Sequence, residues 1–412
     1  MSLFGAILGR EQKSVDVTAL TLQSILGEVP SKTGITVNAN NALRVSAVLG
    51  CCRVLAEGIA QIPFKLTQER PDGSTKAARD HRLFDVLWRR PNDWMTSFEF
   101  RETLMYHAIL SKGGFAIISR NIHGEVLELL PLVPGNVNVR QDSGRKVFFE
   151  VTDSAGTVGV FPRASILHIR GPSWDTVRAL EVVRLAREAI GLSIATEESQ
   201  ALLHANGARP AGLLSYERPL TEDQQARIRK SWNKVYGGEN KFGTAVLDLG
   251  AKYSQLTMSG VDAQHIETRR HQVEEIARMM RVHPQMLGYH EKSSTYASAE
   301  QFFTAHVVHG LGPWVERWEQ ACDRDLLTEE DRAAGYRTNL VVDGLLRGDA
   351  KSRSEFYKAS LGTSSSPGWN TPNDIRRLEN QDPIAAPGAD KLVTVDELSG
   401  RQAPATGAGG AA

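Results

Sequence analysis

The chain has 412 residues, too many for one ordinary hydrophobic core, and at roughly 100 to 200 residues per domain this length predicts two or three substructures. Its 48 basic residues balance 48 acidic ones, which disfavours a protein that binds tightly along a DNA backbone. Three cysteines argue against a disulfide framework and fit a reducing cytoplasm, and no window approaches the roughly 20 apolar residues of a membrane-spanning helix.

The first 178 residues are predicted to contain an arm followed by an α+β module. Residues 1–35 mix Gly, Ser, Pro and Thr and are interpreted as a flexible arm. Over residues 36–178, apolar periodicity predicts three helices and then a series of short strands. The third helix carries a capping box, with Thr96 at the N-cap and Glu99 three residues later. Its predicted buried side comprises Phe98, Leu104, Met105, Ala108 and Ile109.

Two long helices are predicted next, on either side of an insert. Residues 179–210 are rich in Ala, Leu, Glu and Arg, and residues 261–285 combine an apolar stripe with many charges. On the second helix, Glu274 and Arg278 are spaced as a favourable i, i+4 ion pair. The insert, residues 211–260, is predicted to contain a strand, a helix and a β-hairpin.

The remaining sequence predicts a polar loop, a bent helix and a low-complexity end. Residues 286–297 are polar and aperiodic, and a further long helix begins near Ser298. Gly310, Gly312 and Pro313 fall inside that helix and predict a kink. The later segments are the rest of 298–349, two short helices in 350–384, and a tail in 385–412 that its Pro, Gly and Ala content predicts to be disordered.

The sequence lacks the motifs that would indicate an enzyme. It contains no Gly-x-x-x-x-Gly-Lys-Ser/Thr phosphate loop, no His-Glu-x-x-His, no Cys-x-x-Cys and no Gly-x-Ser-x-Gly. We therefore predict no catalytic residue, no metal site and no cofactor.

Three residue pairs could carry chemistry but are interpreted as packing. They are a histidine pair that could share a metal with Glu300, an adjacent cysteine pair and a tryptophan pair, namely His306 with His309, Cys51 with Cys52, and Trp314 with Trp318. Cysteines on an apolar helical face are usually small core residues, and one stripe of aromatic residues is more often core or subunit interface than a base-stacking platform.

Five long segments, in the same order, resemble the HK97-type phage portal family. They are HRLFDVLWRRPNDWMTSFEFRETLMYHAIL, ILHIRGPSWDTVRALEVVRLAREAIGL, ANGARPAGLL, TRRHQVEEIARMMRVHPQMLG and NLVVDGLLRGDAKSRSEFYKASLG. The resemblance runs from about residue 40 to residue 384. Portals of gene-transfer agents look much alike, and the sequence does not separate the two.

The resemblance implies a multi-module α+β portal fold. Its modules would be an α/β wing (36–178), two stem helices (179–210 and 261–285), a small α/β clip (211–260), a tunnel loop (286–297), a kinked helix returning through the wing (298–349) and a helical crown (350–384). It further implies a dodecameric ring at one capsid vertex of a virion, through which double-stranded DNA passes in packaging and ejection without sequence specificity. The implied partners are further copies of the chain, the large terminase, the major capsid protein and a head–tail adaptor protein, with no membrane.

The resemblance also marks three sets of candidate residues. The tunnel loop offers Lys292, with His290, Ser293 and Ser294. The stem offers Arg269, Arg270, Glu274 and Arg278. The clip, as the terminase-docking region, offers Arg227, Lys230 and Lys234. Each of these could equally be an ordinary solvated side chain, and the stem charges could bridge to the next subunit or line the channel.

Two other classes of function compete with a portal. Another head–tail adaptor or connector ring would share oligomerisation but would need neither two long helices nor an insert between them. A nuclease or ATPase of the packaging apparatus would need clustered acidic metal ligands or a phosphate loop.

Overall fold

The computed structural model describes most of the chain. The described residues are 30–71, 74–174, 176–205, 213–215, 219–236, 252–254, 261–289, 296–346, 350–363, 366–379, 382–392 and 394. Their contacts divide the chain into two compact units, residues 1–340 and residues 341–412.

The first unit opens with helices that pack their apolar sides into its core. They are α1 (Ala39–Ala42), α2 (Ser46–Ala60), α3 (Arg82–Trp88) and α4 (Ser97–Leu110). The capping box predicted for α4 is confirmed, because the Glu99 amide donates to Thr96 Oγ1 and the Thr96 amide donates to Glu99 Oε2. The assignment of Phe98 to the buried side of α4 is wrong, since Phe98 is 40% exposed while Phe100 is buried. Phe98 lies in the first turn, where the chain is still entering the helix.

The described strands form four small antiparallel sheets. The first sheet consists of β1 (Phe64–Glu69), β2 (Thr75–Ala77) and β11 (Tyr336–Leu340), with β1 in the middle. The second consists of β3 (Gly114–Arg120), β4 (Val126–Leu132) and β8 (Ile166–Ile169), with β3 in the middle. The third consists of β5 (Val137–Gln141), β6 (Val147–Thr152) and β7 (Val158–Pro162), and the fourth of β9 (Leu213–Ser215) with β10 (Lys252–Ser254).

An aromatic cluster joins the second and third sheets. Phe149 lies opposite Val139 on one side and opposite Phe161 on the other, so three strands contribute to the same face. Phe115 packs edge-on against Phe149, with ring centroids 6.0 Å apart, and its other neighbour is the stacked ring of His168 at 4.5 Å. These residues are buried, as the alternating pattern of their strands predicts.

The two long helices are present and lie in the same unit. They are α6 (Arg187–Ala205), which follows the short helix α5 (Val182–Leu185), and α8 (Val261–Met280). Between them lie β9, the helix α7 (Glu222–Tyr236) and β10. The first long helix begins later than residue 179, because the Leu180 amide donates to the Pro172 carbonyl at 2.7 Å, which closes a loop ahead of α5. One arm of the predicted hairpin pairs with β9, and the other lies outside the described residues.

The predicted kink in the later helix is confirmed as a π-helical turn. It consists of α9 (Tyr296–Ala305), a π-helix (His306–Leu311) and α10 (Gly312–Asp325), followed by α11 (Glu329–Ala333). At Gly310 the His306 ring comes so close that an added Cβ would lie 2.9 Å from Nδ1. Pro313 stands in the first turn of α10, directly after the π-helix, and lacks the amide hydrogen that would continue the helical bonding there.

The second unit consists of short helices and a capping network. The helices are α12 (Asp343–Leu346), α13 (Ala350–Leu361) and α14 (Pro372–Leu378). Asn373 on α14 is buried, and its side chain donates to the Ile384 carbonyl and accepts from the Ile384 amide. The backbone amide of Asn373 donates to the Ala389 carbonyl. Residues 385–392, the start of the tail that composition predicts to be disordered, therefore lie in part against α14.

A buried carboxylate, Asp325, connects the end of α10 to the second sheet. Its side chain is 2% exposed and accepts hydrogen bonds from the Arg163 guanidinium at 2.8 Å and from the His168 amide at 3.3 Å. Arg324 donates to the same carboxylate at 2.8 Å. The burial of this charge is thus compensated by two cations and a backbone donor.

Replacing Asp325 with asparagine should therefore be costly. We expect Asp325→Asn to lower the free energy of unfolding by about 3 kcal/mol, because it leaves the largely buried Arg163 without its counter-charge. Urea unfolding followed by circular dichroism measures the change. The matched control is Glu150→Gln, which removes the partly exposed pair with Arg140 and should change stability by less than about 1 kcal/mol. Equal effects of the two variants would contradict this account of Asp325.

His168 should make stability depend on pH. Burial, together with nearby Arg163, Arg170 and Arg324, lowers its pKa from 6.5 to about 3. Between these values the unfolded chain binds a proton that the folded chain does not, so stability is full above pH 6.5 and falls as the pH drops towards 3. We expect the loss attributable to His168 to approach about 1.4 kcal/mol per pH unit and to be missing in His168→Asn. Urea midpoints over this range measure it, and parallel curves for the two proteins would refute it.

Candidate functional site: the paired long helices and the adjoining groove

The two long helices pair side by side in opposite directions through polar contacts. Gln272 Nε2 on α8 donates to Thr196 Oγ1 on α6 at 3.3 Å, and Arg269 Nη1 donates to Gln200 Oε1 at 3.3 Å. Residue numbers therefore rise along one helix as they fall along the other. Such hydrogen bonds fix the alignment of the helices but contribute only about 1 kcal/mol each to stability.

Stabilisation of α8 comes from the end nearest the first unit's core. Ile276, Ala277 and Met280 are buried there, where α8 packs against α2. Residues 267–271, towards the other end of the helix, are all exposed. The helix pair is thus anchored at one end and presents polar surface at the other.

Of the stem residues predicted from the sequence, Arg269, Arg270 and Arg278 are exposed and Glu274 is half-buried, and one predicted ion pair has a different partner. Glu274 forms its ion pair with Arg270, at 3.1 Å, and not with Arg278. Glu274 has an arginine one turn away on each side, so spacing alone does not choose between them. Because Arg270 is exposed and Glu274 only half-buried, this pair stabilises the helix by no more than about 0.5 kcal/mol.

A segment near the N-terminus crosses α6, a contact that the sequence does not reveal. The Lys32 amide donates to Glu188 Oε2 at 2.9 Å, and this bond lowers the pKa of Glu188. Ser31 lies so close to Gly191 that an added Cβ there would be 2.5 Å from its Oγ. Glycine at position 191 leaves the space that the Ser31 side chain occupies against α6.

A groove of about 650 Å³ opens where α8 ends beside the π-helix. Its walls combine arginines with histidines and aromatic rings, including Arg278, Arg281, His283, Phe302, His306 and His309. The His283 and Phe302 rings are 4.5 Å apart. Burial lowers the pKa of His306, and the nearby His283 lowers it further. Arg281 has a left-handed backbone (φ 57°) at the point where α8 ends. The groove forms where residues of the π-helix lie beside the end of α8, so no sequence motif predicts it.

The tryptophan pair packs in the core as predicted. Trp318 is buried, lies edge-on to Phe64 at 6.2 Å and donates its indole N–H towards Met105 Sδ at 3.0 Å. Trp314 is also buried.

The histidine pair is split between core and surface, since His306 is buried and His309 is exposed. Within the described ranges, no three His, Cys, Asp or Glu side chains are grouped so that they could hold a metal ion.

The clip and tunnel-loop candidates are described only in part. Arg227 and Lys230 are exposed on α7, whereas the side chain of Lys234 lies outside the described residues. The tunnel-loop candidates also lie outside them, namely His290, Lys292, Ser293 and Ser294. Among the helices that the structure describes, none is both long and apolar enough to cross a membrane.

Comparison with known proteins places this architecture in a class of phage structural proteins. The profile of the family described as "Phage portal protein" matches residues 46–380. The portal protein of Enterobacteria phage HK97 is 30% identical over 358 residues, which cover 86% of this chain and 82% of that protein. The probable portal protein of Streptomyces phage phiC31 is 31% identical over 373 residues, covering 87% and 79%.

Solved structures share the fold at lower identity. A chain in the virion of a native gene transfer agent particle aligns with a TM-score of 0.58 and 20% identity, covering 90% of this chain and all of that one. The crystal structure of an HK97-family phage portal protein from Corynebacterium diphtheriae aligns with a TM-score of 0.54 and 15% identity, covering 74% and 96%. The chain belongs to the phage portal protein family.

The cysteines should be unreactive in the folded protein. Cys51 and Cys52 are buried in α2, and burial raises the pKa of each thiol to about 12, while burial also raises the pKa of Cys322. We expect a thiol reagent at about pH 8 to modify none of the three within minutes, because the thiolate is the reactive form. In concentrated guanidinium all three should react. Rapid modification of the native protein would show that the redox interpretation of Cys51 and Cys52 must be reconsidered.

Proposed function

We propose that this chain assembles into a dodecameric ring at one capsid vertex of a virion and forms the channel for double-stranded DNA in packaging and ejection. Assembly would take place in the host cytoplasm. The proposal is supported by the family match over residues 46–380 and by relatives whose names describe portal proteins. It is also supported by the shared fold with chains of gene transfer agent particles, including a neck resolved with twelvefold symmetry.

The observation that carries the proposal is the antiparallel pair of α6 and α8. One end of the pair is buried against α2, and the exposed end leads into the insert that contains β9, α7 and β10. Residues 267–271 at the outer end of the pair are exposed in the single subunit, and a closed ring would give every copy the same neighbour there. In this ring the pair would be the stem and the insert the clip.

Free passage of DNA fits the charge of the chain. A channel that lets any sequence slide must avoid contacts to base edges and must hold phosphates weakly. The balance of 48 basic and 48 acidic residues meets this need. Lys292, with His290, Ser293 and Ser294 beside it, is the proposed loop contact to phosphate, and ring symmetry would repeat that single cation around the channel.

The outer contacts are proposed for other parts of the subunit. Arg227 and Lys230, exposed on α7, together with Lys234, would face the large terminase at the clip. The major capsid protein and a head–tail adaptor would contact the body of the ring. In this role the chain acts as a structural channel and not as an enzyme, with no cofactor.

Native mass spectrometry and negative-stain imaging of the purified full chain test the proposal. We expect rings of about twelve copies with a central hole. The same preparation should neither hydrolyse ATP nor cleave DNA with magnesium. A monomer or dimer that stays so at high concentration and with the capsid and scaffold proteins present, or either enzymatic activity in clean protein, would contradict it.

A further inference from the structure

The contacts between α6 and α8 define which of their residues lie at the same height. Thr196 lies level with Gln272, and Gln200 lies level with Arg269. Glu198 is halfway between Thr196 and Gln200, so Glu198 and Arg270 lie at nearly the same level along the antiparallel pair.

The same contacts define which side of each helix faces away from the other. A helix turns by about 100° per residue, so Glu198 lies about 180° around α6 from the side that touches α8. By the same spacing, Arg270 lies about 130° and Glu274 about 170° around α8 from the side that touches α6. At the level of Glu198, the outward side of α8 therefore carries the Arg270 guanidinium, with the Glu274 carboxylate one turn further along the helix.

We infer that Glu198 on the outer face of α6 pairs with Arg270 on the outer face of α8 in the adjacent copy of the ring. This inference rests on the proposed ring. Rotation about a ring axis keeps every residue at its height, so helices that run along the axis bring residues of equal level together. The contact joins two different faces, and such head-to-tail contacts close into a ring when the rotation divides the full turn.

The character of the outer face of α6 favours a protein as its occupant. Glu197 and Glu198 are both exposed, and in the part of the chain that the structure describes neither forms an ion pair. DNA phosphates would be repelled by these two charges. Leu202, one turn beyond Glu198, is 64% exposed, and covering it with a neighbouring helix removes apolar surface from water. Arg270 already pairs with Glu274, and because a guanidinium has five N–H donors, one arginine can bind more than one carboxylate.

Charge reversal in the full chain tests the pair. We expect Glu198→Arg and Arg270→Glu each to lower the fraction of subunits in rings by about tenfold at equal concentration, because each places like charges opposite one another at every interface. The variant with both reversals should recover the wild-type fraction to within about threefold. The matched control is Glu197→Arg, whose side chain lies about 100° around the same helix from Glu198, and it should keep rings to within about threefold. Native mass spectrometry measures the fractions, and circular dichroism checks folding.

A cysteine pair gives a second measurement that does not require mutual rescue. The combined variant Glu198→Cys with Arg270→Cys should form a ladder of covalent oligomers on oxidation. The wild-type protein should form none, because its natural thiols are buried. A ladder, or rescue by the double reversal, supports the inference. Undiminished rings in either single reversal, or the failure of both rescue and ladder, would overturn it. In those cases wild-type rings persist and the proposed function stands, whereas a wild type without rings defeats the proposed function itself.

Discussion

The first unit depends on one helix, α10, burying its apolar face against two sheets at once. Trp318 on α10 meets Phe64 of β1, and Asp325 at its end binds Arg163 next to β8. On the same helix, Asp323 accepts hydrogen bonds from the backbone and hydroxyl of Thr338 in β11. Because β11 in turn pairs with β1, residues more than 250 positions apart complete one sheet. The hydrophobic core cannot close until the late part of the chain has returned to the early part.

This requirement explains why the long helices form a pair. The chain leaves the body after β8 and must come back to it at α10, so everything between is a loop with both ends attached to one core. Two helices running out and back are a compact solution, and the apolar stripe of α8 anchors the returning helix on α2. Farther from the core, the contacts between the helices are hydrogen bonds, which specify alignment without adding much stability. The exposed end is therefore free to be selected for contacts with other molecules.

Sequence patterns predicted the local elements well and their surroundings less well. The series of short strands predicted after the third helix is present, including β5, β6 and β8, because alternation and turn residues act over a few positions. The glycines and the proline after His306 predicted a bend, but not the π-helical turn in which the His306 ring lies against Gly310. The pairing of Glu274 with Arg270, and the groove at the end of α8, depend on rotamers and on distant segments. Sequence located the charged helices of the candidate site but not the direction in which each charge points.

Because the chain has no net charge, its assembly in the proposed ring would depend on the direction in which individual charged side chains point. A net charge of zero removes the general repulsion that would oppose the gathering of many copies, but it does not by itself bring them into register. Register requires that unlike charges stand on different faces at equal height, and the alignment set by Gln272 with Thr196 produces that arrangement for Glu198 and Arg270. A like-charged arrangement on the same two faces would leave composition unchanged and yet favour separate subunits. In the proposed ring, the hydrogen bonds inside each helix pair would thus determine which charges meet between copies.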